Sequence, residues 1–138
     1  MPDTSSQALA DLMRKRRRCL EQLRALGLRQ AESIEAGDLS GLLGVIAAKQ
    51  QLIVALQAVE KQLAPFHQQQ PEARDWPSAA ARAQCAADAE ACRQLIEEVM
   101  AMETEGQRQI AERRDAVAGQ LRTAAAASRV REAYMSQK

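Results

Sequence analysis

From Ser78 to Lys138 the chain contains no proline, and apolar residues recur along this stretch at helical spacing, at Cys85, Cys92, Ile96, Val99, Ile110, Val117 and Leu121, with Glu103 and Gly106 on the same stripe. Proline costs about 3 kcal/mol in a helix interior. A proline-free run with this periodicity therefore reads as one helix over about residues 78–135. Gly106 and Gly119 are the positions where it can kink or break.

Two shorter helices precede it. Leu9, Met13, Arg16, Leu20, Leu23, Gly27, Gln30 and Ile34 follow one another at alternating spacings of four and three, flanked by Leu12, Cys19 and Leu26. That is a heptad-like seam, and it defines a first helix over about residues 4–36. Thr4, Ser5 or Ser6 can cap its start, and Gly37 can adopt the left-handed conformation that closes its end. Asp38 can then cap a second helix over residues 39–63, which leaves a connection of about two residues and forces an antiparallel hairpin. In that helix Leu39, Leu42, Leu43, Ile46, Leu52, Ile53, Val54, Leu56, Val59 and Leu63 spread over roughly 220° of circumference, an arc wide enough to require two neighbours. Residues 64–77 (APFHQQQPEARDWP) carry three prolines and a glutamine triplet and read as the linker. The expected fold is all-α: an antiparallel three-helix, coiled-coil-like bundle with a long C-terminal helix, forming a single helical domain.

The helix lengths do not match. At ~1.5 Å per residue the three helices measure about 50, 37 and 87 Å. A third helix that starts beside the end of the second passes the Gly37–Asp38 turn near Met102 to Ile110, and the rest is expected to project. This outer part still carries Ile110, Val117 and Leu121 on the core-facing stripe, with Val130 and Tyr134 drifting off it. Apolar residues left in water in this way mark an interaction face, so these five are the candidate partner-binding residues. Two alternatives remain: a break at Gly106 or Gly119 that folds the helix back, or self-association through the same stripe.

Composition narrows the function. Only Phe66, Trp76 and Tyr134 are aromatic, and 19 basic residues nearly cancel 18 acidic ones, so no global field favours nucleic acid or an anionic membrane. No apolar signal core follows Met1, and no uninterrupted apolar run approaches the ~20 residues that cross a bilayer. A cytoplasmic location without membrane insertion is expected. The Arg14 to Arg18 run (RKRRR) points all round its helix, interrupts an apolar seam and has no aromatic residues nearby for base stacking, so it reads as a solvated face rather than a nucleic-acid site.

No chemistry-bearing constellation stands out. Cys85 and Cys92 are about 10.5 Å apart along one helix face, too far for a shared metal or a disulfide, and with Cys19 they read as small core residues. His67 is the only histidine and lies in the linker. Glu97, Glu98, Glu103 and Glu105 have no pocket implied around them. Gly41 and Gly44 lack a following Lys-Ser/Thr and read as sites of close helix contact rather than a phosphate loop. Trp76 is expected to anchor the linker over the bundle end with its indole half exposed. Neither a catalytic centre nor a metal or cofactor is expected, and an enzyme is the class least supported.

The segment SIEAGDLSGLLGVIAAKQQLIVALQAVEKQL resembles the flagellar type III export chaperones of the FlgN type, in which an acidic turn introduces a leucine-rich helix with an interior Lys and a closing Glu. Asp38, Leu39, Leu42, Leu43, Lys49, Leu52, Ile53, Leu56, Glu60 and Leu63 occupy those positions. CRQLIEEVMAMETE is similar to the start of that family's last helix through Cys92, Leu95, Ile96, Val99 and Glu103. The resemblance implies a cytoplasmic chaperone that holds hook-filament junction subunits unpolymerised and delivers them to the export apparatus. It also implies that the C-terminal part of the long helix binds a terminal helix of the client. The Ala124 to Ala127 run departs from this pattern by offering little apolar area. The alternative is a structural coiled-coil adaptor that homodimerises through its C-terminal helix.

Overall fold

The computed structural model describes residues 5–68 and 74–135, and among them the chain forms three α-helices and no strand: α1 (Ser6–Ala36), α2 (Leu39–Leu63) and α3 (Ala79–Met135). Contacts divide the chain into two compact units, Met1–Glu103 and Thr104–Lys138, with the boundary inside α3. Helical backbone runs through Gly106 and Gly119 without a break.

The ends of the helices follow from local chemistry. Of the three candidate caps, Ser5 caps α1 by accepting from the Ala8 amide at 3.1 Å, Ser6 is the first helical residue, and Thr4 lies outside the described residues. Gly37 takes φ 67°, a left-handed conformation, and its N–H and that of Asp38 return to the Ile34 and Ser33 carbonyls. Asp38 Oδ1 then accepts from the Gly41 amide at 2.9 Å and starts α2. Ser78 does the same for α3 through the Ala81 amide at 3.0 Å.

In the first unit, Leu20, Leu23 and Cys92 form the centre of the core, packed by Met13 from α1, by Leu52, Ile53 and Leu56 from α2, and by Leu95, Ile96 and Val99 from α3. A second cluster, Val59, Leu63 and Phe66, packs against Ala8, Leu9, Leu12 and Met13. Gly27 belongs to the α1 seam because Met102 lies so close that an added Cβ would meet its methyl carbon at 2.9 Å. Of the two glycines in α2, Gly41 does meet α1 closely, since an added Cβ would lie 3.2 Å from Ser33 Oγ as well as against the Asp38 cap, whereas nothing lies within 4 Å of one at Gly44, where the expectation of a close helix contact fails.

Burial of Cys85 and Cys92 pushes both thiols above their ordinary value of 9.0, because the charged thiolate would have to leave water. The folded chain therefore holds these protons more tightly than the unfolded chain does. Stability should be unaffected by this pair at lower pH and should fall as pH rises through about 9. Urea midpoints measured across this range should decline, and the Cys85→Ala/Cys92→Ala double variant should show a shallower decline. Equal slopes would exclude the two thiols as the cause.

The basic run of α1 is more structural than a solvated face. Arg16 is half-buried and pairs with Glu60 of α2, whereas Arg17 reaches Asp88 of α3 at 3.0 Å and also holds Glu21. Consecutive residues on a helix point about 100° apart, so this pair reaches both neighbouring helices at once. Asp88 is 4% exposed and, besides Arg17, accepts from Gln84 Nε2 at 3.2 Å, so the cost of breaking the pair is asymmetric. Arg17→Met strands a buried carboxylate, while Asp88→Leu leaves an arginine that still has water and Glu21. Chemical denaturation should show Asp88→Leu within about 1 kcal/mol of wild type and Arg17→Met clearly below it; the reverse order would refute this account.

Two further expectations are corrected. The expected linker, residues 64–77, is not irregular from its start, for the chain makes a 3-10 turn at Ala64–Gln68 directly after α2. Proline's fixed φ suits such a turn, and a turn this short loses little from the missing N–H of Pro65. Ser6 Oγ then donates to the Asp75 carbonyl at 2.7 Å and ties the later linker to the start of α1, while residues 69–73 lie outside the described residues. The wide apolar arc of α2 is also not consumed by two neighbours: Leu39, Leu43, Ile46 and Val54 remain exposed. By length and mean hydropathy, 1.6, Leu39–His67 is also long and apolar enough to cross a membrane, although no uninterrupted apolar run of that length is present. Averaging over the window tolerates Lys49, which sits inside it and is bonded to Gln30 and Glu103.

Candidate partner-binding face

The second unit is helical over its described residues, and its side chains lie largely in solvent. Ile110 is 39% exposed, Val117 54%, Leu121 66%, Val130 70% and Tyr134 72%. At 100° per residue, Ile110, Val117 and Leu121 fall within about 40° of one another, while Val130 lies about 180° from Leu121. The five candidates thus divide into one coherent face and two residues on the far side. Met135, 64% exposed, stands 18 residues or five helical turns beyond Val117 and falls on the same face, although a four-residue alanine run separates it from the stripe that ends at Leu121.

Charge frames this face. Arg108 is held by Glu105 and Glu112, one helical turn away on either side, and these carboxylates raise its pKa while it lowers that of Glu105. Beyond Ile110, five arginines (113, 114, 122, 129 and 131) face three acids (Glu112, Asp115 and Glu132), a surplus of cations along the exposed helix. Thr123 donates back to the Gly119 carbonyl at 3.0 Å, which satisfies its hydroxyl within the helix. Ala124 to Ala127 are exposed and present methyl groups only. The arrangement can take an amphipathic helix whose apolar stripe lies on Ile110, Val117 and Leu121 with acidic residues along its flanks.

The remaining candidates are placed as follows. Cys85 and Cys92 are buried and Cys19 partly so; His67 is exposed at the end of the 3-10 turn. No group of three or more His, Cys, Asp or Glu suited to a metal occurs among the described residues. Glu103 bonds Lys49, and Glu98 pairs with Arg24 at 2.6 Å, so both carboxylates tie helices of the first unit together.

Comparison with known proteins agrees with the pattern in α2 and α3. The family model described as FlgN protein matches residues 1–132. No curated protein and no solved structure matches the chain.

Proposed function

Since the chain belongs to the FlgN family and is thus a flagellar export chaperone, we propose that it captures an amphipathic terminal helix of hook-filament junction subunits. In this reading it acts in the cytoplasm, keeps those subunits from assembling early and delivers them to the export apparatus. The observation that carries the proposal is the exposed apolar face of Ile110, Val117 and Leu121 on a helical unit with almost no buried side chains of its own. A client helix laid on it would remove these side chains from water, each contributing up to about 1.5–3 kcal/mol if fully covered. The surplus of arginines favours a client segment with acidic flanks. Val130 and Tyr134 extend the candidate surface onto the opposite side, where a second contact would be made.

The test is to mix the chain with purified junction subunits, full-length and lacking their terminal helices, and to determine masses by sedimentation equilibrium. A monomer that forms a 1:1 complex only with the full-length subunit is the expected result. A tight homodimer that takes up no subunit would instead favour the adaptor reading, in which the same face pairs two copies.

A further inference from the structure

A cavity of about 500 Å³ lies in the first unit, where α1, the 3-10 turn, the later linker and the first turns of α3 meet. Its apolar lining comes from Leu9, Met13, Leu63, Phe66, Trp76 and Cys85. Four arginines, Arg16, Arg74, Arg82 and Arg93, also line it, with Glu90 as the single acid. Three of these have engagements that hold them in place: Arg16 with Glu60, Arg93 with Glu90, and Arg74 with its guanidinium carbon 4.7 Å from the Phe66 ring centroid. Arg82 is exposed and has no ion-pair partner among the described residues. The indole Nε1 of Trp76 is buried and has no acceptor there either.

We propose that this cavity is a second docking site, for a short protein segment that carries acidic residues next to apolar ones. The volume falls in the range of small-ligand sites and suits two or three side chains. The apolar lining takes the hydrophobic ones, and Arg82 supplies an uncommitted cation. Charge complementarity selects an acidic partner over a basic one. The site uses none of the residues of the C-terminal face, so variants at either one test it separately from the other. The choice of a protein occupant rests on the chaperone reading, but the site's chemistry does not.

Trp76 is the only tryptophan, so its emission reports directly on the cavity in the intact chain. The probe is a blocked hexapeptide of alternating leucine and glutamate, with lysine-for-glutamate and serine-for-leucine versions as controls. A saturable change in Trp76 emission is expected with the leucine–glutamate peptide alone, and it should weaken strongly near 1 M salt, where the Debye length is about 3 Å. Arg82→Glu should weaken binding about tenfold with no loss of stability, because an acid in the first turn of α3 suits the helix dipole. An absent response at millimolar peptide, an equal response to the lysine peptide, a response to decanoate but not to peptide, or an Arg82→Glu variant that binds normally would each overturn the proposal. The Val117→Glu/Leu121→Glu variant should titrate as wild type. If junction subunits bind while the Trp76 titration fails, the second site is wrong and the chaperone reading stands.

Discussion

Replacing both Val117 and Leu121 by glutamate is expected to weaken client binding by about a hundredfold or more, with little change in the stability of the chain. The two side chains lie one turn apart on the same face, and a client helix that covers them must also cover the substituted carboxylates. The loss then combines the missing apolar burial with the cost of placing charge against an apolar stripe. Stability is spared because Val117 and Leu121 are 54% and 66% exposed, and glutamate is a good helix former. Val130→Glu should cost much less, since Val130 projects about 180° away from Leu121 and cannot share one straight contact with it. Isothermal titration with a junction subunit would read both. A double variant that binds like wild type, or a Val130→Glu variant as damaged as the double one, would move the binding face off the Ile110 stripe.

The sequence made the α1 seam legible even where it was polar. Arg16 and Gln30 sit at seam positions where an apolar residue is the ordinary choice, and both are used: Arg16 pairs with Glu60, and Gln30 accepts from Lys49 at 2.9 Å. A spacing rule finds such residues because it tracks which face turns inward, whatever the side chain. The Gly37–Asp38 connection was legible for a similar reason, since a left-handed glycine and a capping aspartate are local chemistry.

What could not be read depended on groups distant in sequence. The apolar arc of α2 gave its width but not its facing, so nothing distinguished the buried Val59 from the exposed Val54. Arg17 and Asp88 stand 71 residues apart, and neither shows the other in any local pattern. The cavity around Trp76 exists only once four separate segments are placed together. Lys49 and Glu60, noted in the family resemblance only as an interior Lys and a closing Glu, acquire a physical role in the fold: they bond α2 to α3 and to α1. The proposed C-terminal face rests on the surplus length of α3 and on the exposure of Ile110, Val117 and Leu121, neither of which names a partner.

Leu20→Ala should lower the unfolding free energy by about 3–4 kcal/mol, a large share of the roughly 5–15 kcal/mol available to a domain. Leu20 is 2% exposed and sits where all three helices contribute to the core, so truncation leaves a cavity lined by side chains from each of them. Leu28→Ala is the same chemical change in the same helix at 53% exposure, and it should cost no more than about 0.5 kcal/mol. The contrast isolates burial from helix propensity, because alanine is the better helix former at both sites. Hydrogen exchange extends the argument along the chain. Residues 6–68 and 79–103 belong to the unit whose core Leu20 anchors, and their slowest amides should lose protection by about the full loss in stability. Residues 104–135 lack such a core, and their amides should exchange faster and respond little to the substitution. Uniform loss of protection through residue 135 would mean that the two units unfold as one, and the C-terminal face would then depend on the bundle for its helicity rather than holding it independently.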